Sequence, residues 1–156
     1  MTAAGFGSPP AKQRIPVDAL QAALAAEHTA VWAYGLAGAF MPDKLAGQLA
    51  EAAAAHRMCR DGAEALLIAA GAPPVPAEPG YLTPEPVTNS ASALRLAVIV
   101  ETDAAAAWRS VIERSPAQAE LRRAALDALT GAAVRAARWR ATAGRIPLTV
   151  PFPGAP

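Results

Sequence analysis

The chain has 156 residues, with 14 Lys plus Arg against 13 Asp plus Glu, so its formal net charge at pH 7 is only +1. Nucleic-acid binding requires a strongly basic surface, and a net charge this close to zero does not indicate one. The length suits one domain with its own core. The hydrophobic fraction of 53% is largely alanine, and no apolar run approaches the roughly 20 residues that span a bilayer. We therefore expect one domain with no nucleic-acid partner and no membrane span.

The amino-terminal segment, residues 1–16, contains glycine and proline without a helical period, which predicts a flexible arm. It shows neither a charged region nor an apolar run, so no secretory signal is expected. The single cysteine, Cys59, cannot form an internal disulfide, which favours a reducing compartment. The sequence therefore predicts a cytoplasmic protein.

Residues 17–144 have helical periodicity and form the predicted bundle domain. Ser115 and Pro116 are interpreted as a cap followed by proline at the first position of the last helix. The tail, residues 145–156, alternates apolar residues with prolines, which predicts an extended strip on the bundle, with disorder as the alternative. Caps, prolines and glycines divide the bundle into helices at about residues 18–40, 43–70, 90–114 and 116–144.

The connection between the second and third helices, Gly71 to Val87, contains six prolines and cannot be helical. Extended at roughly 3.1 Å per residue, such a segment can cross the full length of a bundle. Two short turns and one long crossover are typical of ferritin-like bundles. The expected fold class is all-α: a ferritin-like four-helix bundle of two antiparallel hairpins joined by a long proline-rich crossover.

Three ionisable residues interrupt the apolar stripes of the first three helices: Glu27, His56 and Glu101. Each lies about 14.5 residues from a turn, so at about 1.5 Å per residue all three reach a common level. The matching level of the fourth helix falls near Gly131, where no ligand exists. Arg135 lies one turn further and could reach back, because helical side chains tilt towards the amino terminus. Buried ionisable groups that converge indicate a functional centre.

The helices contain several short motifs in which polar or aromatic residues interrupt the alanines. They are Ala26-Glu27-His28, Val31-Trp32-Ala33-Tyr34-Gly35, Ala55-His56-Arg57, Ser92-Ala93-Leu94-Arg95-Leu96-Ala97 leading to Glu101, and Arg135-Ala136-Ala137-Arg138-Trp139-Arg140. They resemble those of a bacterial ferritin-like domain family of uncharacterised function, over roughly residues 17–155. The resemblance implies a ferritin-like four-helix bundle that associates into dimers, and it supplies no activity.

A metal centre is one hypothesis for the converging residues. Ferritin-like di-iron proteins use a single Glu from each of two helices and a Glu-x-x-His pair from each of the other two. Glu27 and Glu101 match the single glutamates and His56 matches half of one pair, but Ala53 replaces the glutamate of that pair. The three matching residues could still form a mononuclear iron or manganese site. The protein would then be a metal-dependent oxidoreductase or a metal-binding protein.

A metal-free polar core is the alternative hypothesis. Glu27, His56, Glu101, Arg135 and Arg138 could form a buried network in which cations satisfy the carboxylates. The protein would then be a non-catalytic binding or assembly module with a degenerate metal site. An organic-ligand pocket is a third interpretation, and whether the protein is an enzyme stays open, because no residue is assigned a catalytic role.

Outside the centre, His28 is expected to be exposed or at an interface, and Glu51 to be solvated, because neither lies on a buried stripe. Alanine-rich helices bury little apolar area, so Trp32, Trp139 and Phe152 are expected to leave apolar patches. A homodimer would cover these patches through the first helix or the proline-rich connection.

Overall fold

The computed structural model describes residues 15–155, so almost all of the expected arm lies outside the described residues. Within that range the chain forms four α-helices and no strand, which confirms the all-α prediction. A one-turn 3₁₀ helix, Asp43–Leu45, precedes the second α-helix. The α-helices are α1 (Val17–Gly38), α2 (Ala46–Ala69), α3 (Ser90–Glu113) and α4 (Ala119–Thr142).

The first hairpin consists of α1 and α2. The two helices are antiparallel, because Gly38 near the end of α1 lies against Leu49 near the start of α2, while Glu27 contacts His56 further from the turn. α1 also packs against α3. In the described part of the chain, no helix has the length and apolarity needed to cross a membrane.

The second hairpin consists of α3 and α4. Near the turn, Arg122 of α4 donates a hydrogen bond to the carbonyl of Ile112. Far from the turn, the guanidinium of Arg140 lies 3.4 Å from the Thr102 hydroxyl. These contacts make α3 and α4 antiparallel. An apolar cleft of about 380 Å³ separates α2 from α4, so α2 rests mainly on α1.

The large side chains of the apolar core lie in two clusters on either side of the level of Glu27, His56 and Glu101, and a third, smaller cluster consists of alanines. The large members of the first cluster are Leu20, Leu24, Leu67, Trp108, Val111 and Leu121. The large members of the second are Tyr34, Leu94, Leu96, Val98, Val100 and Trp139. Most of the remaining buried positions are alanines, which let the helices approach closely and leave few large side chains to fix their alignment.

Residues 70–89, between α2 and α3, form neither helix nor strand and lie against α1. The side chain of Gln21 accepts a hydrogen bond from the backbone N–H of Val75. Further along α1, the rings of Trp32 and Tyr81 have centroids 5.7 Å apart. Trp32 is therefore half-buried rather than fully exposed, because this segment covers part of its ring.

The fourth helix begins later than the sequence predicts. Pro116 does not occupy its first position; α4 begins at Ala119. The Ser115 hydroxyl donates to the carbonyl of Val111, so this serine completes the end of α3 instead of capping α4. The intervening residues form a turn.

The carboxyl-terminal tail lies against α3 at Gly154. This glycine has a φ of +78°, and a Cβ added to it would come within 2.6 Å of the carbonyl oxygen of Ala105. Glycine is therefore required here both by the backbone conformation and by the close approach of the two chains. The tail forms one side of a cavity beside α3 and α4.

A capping box begins α3, and its loss is a test of the fold. The Asn89 side chain accepts from the backbone N–H of Ser92, while the Ser92 hydroxyl accepts from the backbone N–H of Asn89. Asn89→Ala should lower the free energy of unfolding by about 1 kcal/mol, because a helix-terminal donor loses its partner. Asn89→Ser keeps an acceptor and should stay close to the parent protein in urea denaturation. Equal stability of the two variants would contradict this prediction.

Candidate functional site

Glu27 of α1 lies between two donors from neighbouring helices. Its Oε2 lies 2.6 Å from Nδ1 of His56 on α2, and its Oε1 accepts a 2.6 Å hydrogen bond from the indole N–H of Trp108 on α3. Glu27 and His56 are 1% and 0% exposed. Both carboxylate oxygens are thus satisfied by protein groups, which offsets much of the cost of removing the charge from water.

Three polar groups lie around one carboxylate oxygen of Glu101 on α3. Its Oε1 accepts hydrogen bonds from the Tyr34 hydroxyl at 2.5 Å and from Nε of Arg135 at 2.8 Å. Nε2 of His56 lies 3.1 Å from the same oxygen, an ion-pair contact without the alignment of a hydrogen bond. Within residues 15–155, the second oxygen of Glu101, Oε2, has no hydrogen-bond partner.

α1 and α3 each carry one of the glutamates and one aromatic donor, and each donor bonds the glutamate of the other helix. Tyr34 lies seven residues after Glu27 on α1, and Trp108 lies seven residues after Glu101 on α3. Trp108 donates to Glu27 and Tyr34 donates to Glu101, so the two helices run antiparallel. The indole N–H of Trp139 on α4 donates to the Tyr34 hydroxyl at 2.6 Å, so Tyr34 is satisfied in both directions.

His56 bridges the two carboxylates as a cation. Burial alone lowers the pKa of the imidazole, but the interactions with Glu101 and Glu27 outweigh it, and together they raise the pKa from 6.5 to about 9. The ring is therefore protonated at neutral pH. The positive charges of His56 and Arg135 balance the two carboxylates, so the formal charge of this buried ionic network is zero.

Arg135 reaches the network from beyond the level of Glu101, as the tilt of helical side chains predicts. Its guanidinium lies over the backbone of Gly131, where an added Cβ would come within 3.0 Å of Nη1. At the level of the network, α4 therefore has Gly131 in place of a ligand, and the absence of a side chain there leaves room for the Arg135 guanidinium. Burial lowers the pKa of the guanidinium, but Glu101 more than compensates, so the pKa is raised and Arg135 stays charged.

Three expectations from the sequence need correction. Arg138 does not join the network: it is exposed and pairs with Glu51 at 3.3 Å, because that carboxylate is open to it while the charge of the centre is already balanced. His28 is buried, since the segment after α2 covers it and offers the Val75 carbonyl at 3.1 Å. Trp139 is fully buried in the second cluster and leaves no exposed patch.

The geometry of these side chains does not suit an iron or manganese ion. Both ring nitrogens of His56 face carboxylate oxygens of Glu27 and Glu101, so neither nitrogen is directed at an open position. The Arg135 guanidinium adds positive charge beside Glu101, which opposes a further cation. Within residues 15–155, no group of three or more His, Cys, Asp and Glu side chains is arranged to hold a metal ion.

Three aromatic members of the network, Tyr34, Trp108 and Trp139, were not predicted from the sequence. A usable signal exists, because a buried Tyr hydroxyl or Trp N–H usually needs a hydrogen-bond partner. Tyr34 and Trp108 each lie on the stripe of a glutamate, and Trp139 lies four residues after Arg135. Helical spacing thus places each aromatic donor on the same face of its helix as a charged residue of the centre.

Residues 19–156 match the family described as a domain of unknown function, DUF4439. The chain belongs to the DUF4439 family. This DUF4439 chain is similar to the crystal structure of a conserved hypothetical protein, rv2844, from Mycobacterium tuberculosis, with 40% sequence identity and a TM-score of 0.79. The similarity covers 87% of this chain and 95% of that chain. No curated protein matches the chain. Membership of an uncharacterised family is thereby confirmed.

The stability of this DUF4439 chain should depend on the protonation of His56. Its pKa is raised on folding from 6.5 to about 9, so the native state favours the protonated ring. The stabilisation should be complete below pH 6.5 and lost as the pH rises through about 9, by on the order of 3 kcal/mol. Urea denaturation across this range measures the loss.

His56→Gln is the control for that pH dependence. The variant lacks the titrating ring, so its free energy of unfolding should be lower at neutral pH and nearly flat across the same range. Identical pH slopes for the variant and the parent DUF4439 chain would contradict the assignment of His56 as the bridging cation.

Gly131 provides a test of the space that Arg135 occupies. Replacing glycine by alanine inside a helix normally stabilises it by about 1 kcal/mol. Gly62→Ala in α2, where an added Cβ meets nothing within 4 Å, should show this gain in urea denaturation. Gly131→Ala should show little or none of it, because the new methyl group crowds the Arg135 guanidinium. An equal gain for both variants would show that Arg135 moves aside freely.

Proposed function

We propose that this protein is a non-catalytic binding or assembly module of ferritin-like fold, in which a buried ionic network replaces a metal centre. One observation carries the proposal: the two ring nitrogens of His56 face carboxylate oxygens of Glu27 and Glu101, and Arg135 supplies the second positive charge. The four side chains neutralise one another, so charge balance at the centre requires no metal ion.

The path of the chain supports the ferritin-like assignment. α1 is antiparallel to both α2 and α3, so α2 and α3 are parallel and their connection has to return along the bundle. Residues 70–89 lie beside α1 through contacts with Gln21 and Trp32, which is the course that a crossover would take. A single long crossover between two hairpins is characteristic of ferritin-like bundles.

The network would fix the alignment of helices whose packing faces are mostly alanine. Small side chains provide few knobs and holes, so apolar packing alone distinguishes weakly between neighbouring registers. A buried polar group is satisfied in only one register, as a single buried Asn is in coiled coils. In this protein the hydrogen bonds from Trp108 to Glu27 and from Tyr34 to Glu101 are made together only in the observed alignment of α1 and α3.

Metal analysis combined with Glu27→Ala tests the proposal. Protein purified without chelator should contain no stoichiometric metal, and a chelator should leave its melting temperature unchanged. Glu27→Ala should lower the free energy of unfolding by about 3 to 5 kcal/mol, with or without chelator, because a buried charge loses its partner. Two results together would establish the metal-dependent alternative. The parent protein would contain stoichiometric iron or manganese, and Glu27→Ala would be less stable than the metal-loaded parent but as stable as the parent after chelator treatment.

We also propose that the protein is a cytoplasmic homodimer. The single cysteine supports a reducing compartment. Leu82, in the segment between α2 and α3, is 100% exposed, and Phe152 of the tail is 76% exposed. Large exposed apolar side chains are common at interfaces, and a closed two-fold dimer would bury both on each copy.

Sedimentation at micromolar protein concentration tests the dimer. The expected mass is twice the monomer mass of 15.9 kDa. Leu82→Asp should shift the equilibrium towards monomer, because the interface would have to bury a charge. Lys44→Asp, a charge change outside that segment, is the control. A parent protein that sediments as a monomer would rule the dimer out.

A further inference from the structure

A cavity of about 440 Å³ lies between α3, α4 and the carboxyl-terminal tail. Its volume falls within the range of about 300 to 1,000 Å³ that is usual for small-molecule sites. Ala105 of α3, Leu129 of α4 and Val150 of the tail contribute to a mainly apolar wall. Gly154 packs directly against the backbone of α3, which fixes the position of the tail, so the cavity is part of the folded structure.

Arg140 of α4 lines this cavity and is half-buried. Its guanidinium lies between the tail and α3, with Nη1 3.5 Å from the carbonyl oxygen of Leu148 and Nη2 3.4 Å from the hydroxyl of Thr102. Both distances exceed the range of about 2.7 to 3.2 Å that is usual for hydrogen bonds from nitrogen to oxygen. The positive charge therefore lies beside an apolar wall with only two weak, neutral acceptors.

The other half-buried arginines among residues 15–155 have closer partners. Four of them lie within 2.8 Å of a carboxylate oxygen, namely Arg60, Arg95, Arg109 and Arg135. Arg122 donates a 2.6 Å hydrogen bond to a backbone carbonyl. In the same part of the chain, the contacts of Arg140 include no carboxylate. A partly buried charge has lost part of its hydration, so an anion that hydrogen-bonds to this guanidinium would be bound favourably.

The rest of the wall presents no unbalanced negative charge. Glu101 also contributes to the wall, but it is 0% exposed, and His56 and Arg135 balance its charge. The remaining charged side chain of the wall is Arg138, which pairs with a carboxylate of α2 at 3.3 Å. An anionic group beside Arg140 would therefore meet positive charge and no unpaired carboxylate.

We propose that this cavity binds a monocarboxylate with an apolar chain or ring, and that the carboxylate pairs with the guanidinium of Arg140. A carboxylate matches the planar fork of donors on arginine, and the apolar body replaces water against the alanine and valine wall. This ligand class belongs to the proposed binding module, and its assignment rests on that function because the network balances the charge of Glu101 behind the wall.

Calorimetric titration of the full chain with octanoate tests the proposal. Octanamide is the matched probe for the charge, because it keeps the chain and a planar head group, and butyrate is the matched probe for the chain. Octanoate should bind at least about tenfold more tightly than either, since octanamide loses the ion pair and butyrate loses about four methylene groups. Equal affinity of octanoate and either probe, or no binding of octanoate below the concentration at which it forms micelles, would overturn the proposal.

Arg140→Gln tests the partner of the carboxylate. The variant should bind octanoate about tenfold more weakly, with its octanamide affinity and its melting temperature without ligand unchanged, because the contacts of Arg140 in the free protein are long. Arg123→Gln removes the same charge from an exposed position of α4 outside the lining and is the control. An equal loss of octanoate affinity in the two variants, or a loss in neither, would overturn the role of Arg140.

Two further variants of α4 locate the apolar body. Ala133 lines the cavity, so Ala133→Phe should fill it and reduce octanoate affinity more than tenfold. Ala141 is exposed on the same helix outside the lining, so Ala141→Phe should leave the affinity unchanged. Ala137→Phe, at a second lining position, replaces the first variant if circular dichroism shows that it is unfolded. Unchanged affinity in a folded lining variant would overturn the location.

The outcomes separate this inference from the proposed function. A metal-free protein whose stability follows His56 protonation, but which does not bind octanoate, would overturn the cavity inference and leave the network intact. A protein that contains stoichiometric metal and still binds octanoate through Arg140 would retain the cavity site and overturn the proposed function.

Discussion

Two negative charges buried in an alanine-rich bundle have to be neutralised without water, and this requirement draws side chains from all four helices to one level. His56 of α2 contacts both carboxylates, Arg135 of α4 supplies the second positive charge, and an indole N–H and a phenol hydroxyl donate the remaining hydrogen bonds. Loss of one member leaves a buried charge or donor unsatisfied, which costs more than the interaction itself contributes. The relative positions of the helices are therefore tied to this one centre.

Much of this centre could be predicted from spacing, because helical rise is constant and the turns are short. Glu27 and His56 lie at equal distances from the same turn, and their side chains meet at 2.6 Å. The reach of Arg135 follows from the direction in which helical side chains tilt. Each of these predictions needs only local geometry, which the positions of residues along the chain specify directly. The four helices could be predicted for the same reason, since their alanine and leucine periodicity is local.

Two of the expectations that were wrong depended on contacts between segments distant in sequence. The sequence could not separate Arg135 from Arg138 as partners of Glu101, because the choice depends on Glu51 across the cleft beside α2. The burial of His28 depends on the path of the proline-rich segment, which has no periodicity to predict it. The start of α4 was placed too early because the Ser115 hydroxyl can serve either neighbouring helix, and in the structure it bonds back to α3.

The cleft between α2 and α4 has a consequence for how the native protein opens. α2 buries the fewest side chains of the four helices, and native proteins open locally where few apolar groups are buried. Cys59, half-buried on this helix, has its thiol pKa raised to about 11, mainly by burial, so it reacts slowly while α2 is docked. Detachment of α2 would expose this thiol and withdraw His56 from both carboxylates at once. The side chains that α2 buries are Ala52, His56, Ala63 and Leu67. The rate at which a reagent modifies the Cys59 thiol therefore reports how firmly the His56 imidazole holds α2 to the rest of the bundle.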